Sequence, residues 1–357
     1  MIYNLHLLRA LAAMAVVYFH VTSDAGLHLP VNIGAHGVDV FFVISGFIIA
    51  YIGARSPESF LLRRLIRIVP FYWAATCAVF ALALLFPQLM RTTQADFTQL
   101  AYSLLFIPYQ MPDGGTLPTL ILGWSPNYEM YFYVLFAVSL LLARRAAPLV
   151  CAALITVIAL TIDVSGTSNP SLRFYGRPLV FEFCYGIACF HLLELAERHG
   201  ESLRRLHWAG RGWLVAGALL AAVAIGVEEH HAGLGLPRFL VAGLPAMVLV
   251  LCAVLLERIY GLSAKSKVLF ALGESSYILY LIHPYIIYTI LRLVFPHARA
   301  FQPAVIAALI AVLLAISAGV AIAIHYGFER PVMQFLRAKL LPRRREQPVS
   351  GQIPRVS

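Results

Sequence analysis

Long apolar runs separated by short polar joints make up most of this chain. A bilayer core requires roughly 20 apolar residues per helical span, and the runs recur at about that length. Each run predicts a membrane-spanning helix, because a helix satisfies its own backbone hydrogen bonds where water is absent. The pattern predicts about ten spans, near residues 5–22, 36–53, 69–89, 124–142, 147–163, 174–195, 211–227, 237–257, 275–295 and 302–326.

The basic residues predict how these spans are oriented. With the N-terminus inside, twenty of the 27 Lys and Arg residues fall on the cytoplasmic side and six on the outer side. Basic residues are enriched in cytoplasmic joints, so the bias favours two cytoplasmic termini. The predicted fold class is an all-α polytopic membrane protein, with a membrane domain over residues 1–341 and a basic, disordered cytoplasmic tail over residues 342–357.

Composition excludes several other classes of protein. With 61% apolar and 12% charged residues, the chain has too little polar surface for a water-soluble globule. The net charge of +10 does not indicate a nucleic-acid partner, because the basic residues are dispersed between the spans. The five cysteines lie within apolar runs without CxxC pairing, so neither a disulfide framework nor a metal site is predicted. The predicted partner is the lipid bilayer.

The first span carries two ionisable residues, Arg9 and His20. They are eleven positions apart, which puts them on one helix face with about 16 Å of rise between them. The predicted orientation places Arg9 toward the cytoplasm and His20 toward the outside. Such residues are costly within a membrane and indicate function. The alternative is that Arg9 reaches the lipid headgroups and His20 marks the outer interface.

The second span carries polar residues at its outer start and at its centre. Asp39 could orient His20 and stabilise its charge, or it could interact with the helix N-terminus. For Ser45 and Gly46 the favoured interpretation is close packing between helices.

Three arginines precede the third span. Arg64 and Arg67 are three positions apart and Arg63 and Arg67 are four apart, so they form one cationic face at the cytoplasmic mouth. Such a face could bind the phosphates of a nucleotide-containing donor through forked hydrogen bonds. It could equally be an inside-positive anchor.

The fourth and ninth spans carry further polar groups. An aromatic belt explains Trp124 and its neighbouring tyrosines, but it does not explain Glu129, which is expected to face the bundle interior. In the ninth span, His283 precedes Pro284 and is either a site residue or a hydrogen-bond partner between helices. At the end of the last span, Glu329 and Arg330 are predicted to form a structural ion pair.

Together, these motifs resemble the membrane-bound acyltransferase family 3, whose members acylate extracytoplasmic acceptors. The resemblance extends from Arg9 to Pro331, with one departure at Pro126, where the family usually has leucine. Six motifs occur in the family's order: Arg9-x10-His20, FFVISGF, Arg64-x-x-Arg67, WSPNYEMYFY, SYILYLIHP and Glu329-x-Pro331.

The resemblance implies an O-acyltransferase of the bacterial inner membrane. It implies transfer from cytosolic acyl-coenzyme A to a hydroxyl of an extracytoplasmic acceptor such as a glycan, with no permanently bound cofactor. Acetyl is the acyl group that the family suggests, and succinyl or longer groups stay open. The candidate residues are catalytic His20, Arg9, Glu129 and Asp39, donor-binding Arg64, Arg67 and Arg63, and pocket-lining Ser45, Trp124, Ser125, Asn127, Tyr277 and His283.

Two other function classes are compatible with parts of this pattern. Intramembrane Arg, His and Glu residues also mark the paths of transporters, such as a flippase for a lipid-linked saccharide. The sequence shows no internal repeat, which argues against the duplicated transporter architectures. The clustered charges argue against a noncatalytic membrane scaffold.

Overall fold

The computed structural model describes residues 2–24, 33–90, 93–111, 114–231, 235–293 and 302–342. This part of the chain contains α-helices and short 3-10 and π-helical turns, with no β-strand. The α-helices are α1 (Tyr3–Asp24), α2 (Gly37–Arg55), α3 (Phe60–Leu85), α4 (Phe97–Leu104), α5 (Trp124–Leu142), α6 (Ala147–Ser165), α7 (Pro170–Tyr175), α8 (Phe181–Arg198), α9 (Gly200–Arg205), α10 (His207–His231), α11 (Leu244–Arg258), α12 (Lys267–Leu293), α13 (Pro303–Ile324) and α14 (Arg330–Leu340).

The predicted fold class is confirmed: the protein is an all-α, multi-pass membrane protein. Within the described residues, eight helical segments are long and apolar enough to cross a membrane. Two further long helices, α5 and α12, coincide with predicted spans and carry many of the polar residues discussed below. Apart from its first residue, the predicted tail at 342–357 lies outside the described residues.

Two predicted span boundaries were wrong. Helix α3 begins at Phe60 rather than near residue 69, so the arginine face belongs to the helix itself and Pro70 lies in its interior. Long arginine side chains can reach the headgroups from such an extension. The predicted span at 174–195 is interrupted between α7 and α8, because Pro178 favours an extended conformation at Arg177, whose ψ is 139°.

Close helix packing depends on glycines in the bundle interior. A Cβ on Gly46 would lie 2.2 Å from the Phe183 carbonyl oxygen, and one on Gly186 would lie 2.1 Å from that of Val43. Helices α2 and α8 therefore approach backbone to backbone, which is the packing role predicted for Gly46. Gly273 has the same role between α12 and α1.

Two ion pairs link interhelical loops and helix ends that were predicted to lie on the cytoplasmic side. Glu58, between α2 and α3, accepts a hydrogen bond from Arg144, after α5, at 2.8 Å. Glu197 near the end of α8 accepts one from Arg258 at the end of α11, also at 2.8 Å. Each pair brings together two joints from the same predicted side, which supports the alternating order of the spans.

The long joint before α5 packs at the opposite end of the bundle. It contains the short helix α4, which begins after the N-cap residue Asp96. The Trp73 indole of α3 donates to the Leu104 carbonyl oxygen at 2.8 Å, and the Tyr175 hydroxyl of α7 donates to that of Phe106 at 2.8 Å. These contacts tie the joint to two helices beside the outer ends of the spans.

Candidate active site

The face of α1 that carries Arg9 and His20 lies against α12. The buried Arg9 donates from Nε and Nη2 to the Ser276 hydroxyl oxygen, at 3.2 and 2.8 Å. Further along the same helices, the His20 ring lies 5.0 Å from the fully buried ring of His283, centroid to centroid. The structure therefore turns both predicted residues of α1 toward one neighbouring helix in the bundle.

Local hydrogen bonds fix the two α12 partners. The Ser276 hydroxyl donates its proton to the Gly273 carbonyl oxygen at 2.9 Å, so its lone pairs are left to accept from Arg9. Nδ1 of His283 lies 2.9 Å from the Leu279 carbonyl oxygen. A carbonyl can only accept, so Nδ1 of His283 must carry a proton.

A cavity of about 740 Å³ adjoins Arg9. This volume includes open space at the mouth of the cavity. One wall is apolar and comes mainly from α2, and the other walls carry the polar groups. The polar lining comprises Arg9, Ser45, Arg64, Arg67, Ser125, Glu129, Tyr133, Ser276, Tyr277 and Tyr280.

Glu129 lies in this cavity as the sequence predicted, and two hydroxyls hold its carboxylate. Ser45 donates to Oε1 of Glu129 at 2.6 Å. Tyr133, one turn further along α5, donates to Oε2. The carboxylate also acts electrostatically on Arg9 and Arg64. Ser45 therefore has a polar contact in the cavity, beyond the packing role favoured for it from sequence.

The three arginines of α3 divide into two groups. The buried Arg64 and half-buried Arg67 line the cavity. Arg63 is absent from the lining and instead donates to the Ser56 carbonyl oxygen. An additional cation, Arg337 of α14, lies within electrostatic range of Arg63 and Arg67. Sequence reasoning missed Arg337 as a neighbour of this site, because 270 positions separate it from Arg67.

Of the remaining predicted pocket residues, some line the cavity and others do not. Ser125 and Tyr277 line the cavity, and the Tyr277 hydroxyl donates to the Ile68 carbonyl oxygen at 3.1 Å. Trp124 instead packs edge-on against Phe42, with ring centroids 6.2 Å apart. Asn127 is buried in α5. Among the residues that the structure describes, Asn127, His20 and His283 do not line the cavity.

Asp39 has partners that the sequence did not predict. Arg238 donates to both carboxylate oxygens, at 2.9 and 2.5 Å, and Nδ1 of His36 lies 3.2 Å from Oδ2. The buried carboxyl of Glu182 lies beside them. These contacts join α2, α8 and the segment before α11. They favour a structural role for Asp39 over the predicted role of orienting His20.

We expect Arg238→Ala to destabilise the protein, because Asp39 would keep a buried charge without this cation. Removing one partner of a buried ion pair costs about 3–5 kcal/mol, and the 42% exposure of the Arg238 side chain reduces the expected loss. The measurement is the melting temperature of the detergent-purified protein. Adding Asp39→Asn should recover part of the loss. A wild-type melting temperature for Arg238→Ala would contradict the structural role.

The predicted ion pair between Glu329 and Arg330 was wrong. Oε2 of the buried Glu329 lies 2.6 Å from Nδ1 of His325, and the exposed Arg330 lies over the Tyr326 ring. Adjacent helical residues point in different directions, whereas residues four apart share a face. Glu329 also acts electrostatically on Arg9, so it belongs to the interior charges of the bundle.

The fold and site define a class of protein: an integral membrane protein with a cationic cavity inside a helical bundle. A family model described as an acyltransferase domain matches residues 2–324. The chain therefore belongs to this family, acyltransferase family 3, and is an acyltransferase. The match ends before Glu329-x-Pro331, so this closing motif lies outside it.

Three curated proteins are similar to this chain. The exopolysaccharide production protein ExoZ of Rhizobium meliloti (strain 1021) is 31% identical over 90% of this chain and 96% of its own length. The acyltransferase MdmB of Streptomyces mycarofaciens is 28% identical over 98% and 96%, respectively. Nodulation protein 10 of Rhizobium leguminosarum bv. viciae is 28% identical over 62% and 69%. No solved structure matches the chain significantly.

Proposed function

We propose that this enzyme transfers an acyl group from cytosolic acyl-coenzyme A to a hydroxyl group of an extracytoplasmic glycan, in a bacterial inner membrane. The observation that carries the proposal is the cavity in which Arg9, Arg64 and Arg67 meet Glu129. It begins at the arginine face, on the predicted cytoplasmic side. The name of ExoZ, which refers to exopolysaccharide production, supports a glycan acceptor.

The donor would bind with its phosphates at the mouth of the cavity. Arginine matches phosphate oxygens with planar, forked donors, and both Arg64 and Arg67 face this space. Arg9 has five N–H groups, and Ser276 is its only acceptor among the described residues. The other N–H groups of Arg9 can donate to polar groups of the donor and so position its thioester end in the cavity.

His20 would supply the basic group for transfer. Its imidazole takes the proton of the acceptor hydroxyl while the hydroxyl oxygen attacks the thioester carbon. The carbon–sulfur bond breaks, the thiolate leaves with the electron pair, and the protonated His20 returns its proton to the thiolate or to solvent. In the alternative, a nitrogen of His20 attacks first and the thiolate leaves. The acceptor hydroxyl then takes the acyl group from the nitrogen, which is released as the leaving group, and the hydroxyl proton passes to the thiolate or to solvent. Both routes produce one ester and one coenzyme A.

We expect Arg64→Ala combined with Arg67→Ala to weaken coenzyme A binding. Each hydrogen bond to a charged group contributes about 1.5–3 kcal/mol, so the dissociation constant should rise at least roughly tenfold. Calorimetric titration of the purified protein with coenzyme A measures the change. Arg145→Ala is the matched control, because it removes an exposed cation from a joint on the same predicted side. Unchanged affinity in the double variant would leave the pair as topology anchors.

The proposed reaction is tested directly with radiolabelled acetyl-coenzyme A. Purified wild-type protein, reconstituted in vesicles with a glycan acceptor, should release coenzyme A and move the label to the glycan. Mass spectrometry of surface glycans with and without the protein then identifies the acyl group and its position. If thioester consumption and glycan masses are both unaffected by the protein, the proposed donor and acceptor are wrong.

A further inference from the structure

Tyr280 lies between the cavity and the histidine pair. Its side chain lines the cavity, and its ring lies 6.2 Å from the ring of His283. The His283 ring is in turn 5.0 Å from that of His20. Among the described residues, neither histidine lines the cavity, so Tyr280 is part of the wall on the side toward His20.

A hydrogen bond between helices holds this wall. Ser125 of α5 donates from Oγ to the Tyr280 hydroxyl oxygen on α12 at 2.8 Å, and both residues are buried. Beside them, the ring of Phe42 lines the cavity and packs against Phe183 at 4.8 Å. The Tyr280 ring is therefore held in place by a polar bond and stands next to a packed aromatic cluster.

The position of this wall restricts the proposed reaction, on which the present inference rests. The acyl carbon must meet either His20 or a hydroxyl that His20 deprotonates, so the acyl group must reach the Tyr280 wall or pass it. Adding volume to a close-packed protein interior forces side chains and backbone to shift, which costs free energy. Every methylene added to the acyl chain must be placed against the ring of Tyr280 or displace it.

We infer that Tyr280, held by Ser125, determines the acyl-chain length that the enzyme accepts. The pair selects short acyl groups of acetyl size and rejects chains as long as hexanoyl. Removing the ring opens space on the path toward His20, and removing only the hydrogen bond lets the ring move. The substrate class that follows is a short-chain acyl thioester.

The test compares acetyl-, butyryl- and hexanoyl-coenzyme A as donors for wild-type enzyme and Tyr280→Ala. One methylene against a filled pocket changes kcat/KM by roughly 10- to 200-fold. Wild-type enzyme should therefore prefer acetyl over hexanoyl by at least about tenfold, and Tyr280→Ala should reduce that preference by a similar factor. Tyr288→Ala, on the same helix and outside the described lining, is the matched control and should keep the wild-type preference.

Two conservative variants examine the hydrogen bond separately. Tyr280→Phe and Ser125→Ala each remove the bond while leaving most of the side-chain volume. Each should raise the relative use of butyryl-coenzyme A, and the double variant should do so no more than either single variant, because all three lose the same interaction. These variants also serve if Tyr280→Ala fails to fold.

The outcomes distinguish this inference from the proposed function. If Tyr280→Ala transfers acetyl with the wild-type preference for chain length, and the two conservative variants do the same, the inference is wrong and the donor proposal stands. If wild-type enzyme consumes none of the three thioesters, the proposed function itself fails.

Discussion

His20→Ala should lose transfer activity by a factor of about 10² to 10⁴, the usual contribution of a positioned general base. The loss should appear in kcat, because the donor cavity does not include His20 among its described lining. Coenzyme A affinity should therefore stay near that of the wild type. Transfer from labelled acetyl-coenzyme A by purified, reconstituted protein measures the first quantity, and calorimetric titration measures the second.

The control for this variant is another histidine replacement. His191→Ala removes a half-buried imidazole from α8 that pairs with Glu194. It should leave the transfer rate within about twofold of the wild type, because surface substitutions away from a site usually have small effects. Near wild-type transfer by His20→Ala would rule out both general-base catalysis and an acyl-histidine intermediate.

Arg9→Ala should lower kcat by about 10²-fold, because a thioester misplaced by about 1 Å relative to His20 can react about 10²-fold more slowly. The physical reason is that Arg9 is buried beside the cavity and has N–H groups beyond those that Ser276 accepts. Steady-state kinetics across a range of acetyl-coenzyme A concentrations separate kcat from KM. A rise in KM alone would instead assign Arg9 to uniform binding of the donor.

Arg9→Lys and Ser276→Ala test the geometry behind that expectation. A lysine keeps the charge but loses the planar fork, so it should recover only a small part of the activity. Ser276→Ala keeps the guanidinium and removes only the hydroxyl that orients it. Its activity should therefore lie between those of Arg9→Ala and the wild type. Equal activity for Arg9→Lys and the wild type would show that charge alone is sufficient.

Local sequence patterns could identify the two residues replaced in His20→Ala and Arg9→Ala. Arg9 and His20 are unusual because each is an ionisable group inside an apolar run, and their spacing puts them on one face. Glu129 has the same signal, and the fold places its carboxylate in the cavity with Arg9. Tyr133 could have been found as well, because it follows Glu129 by four positions on the same helix.

Partners from distant parts of the chain left no comparable signal. Arg238 binds Asp39 from 199 positions away, and Ser276 binds Arg9 from 267 positions away. Apolar periodicity reports which face of a helix is buried, but it does not report which neighbouring helix that face meets. For this reason the sequence left two roles open for Asp39, orienting His20 or interacting with the helix N-terminus, and its described contacts are with Arg238 and His36.

By itself, the sequence determined the membrane as solvent, the number of long helices and several of the ionisable residues of the interior. These follow from local run length and local charge, because lipid requires each span to satisfy its own backbone. Only the tertiary structure decided that Arg9 meets Ser276, that Asp39 binds Arg238, and that Tyr280 stands between the cavity and the histidines. Such contacts depend on how helices pack side by side, and that packing is set by the whole bundle at once.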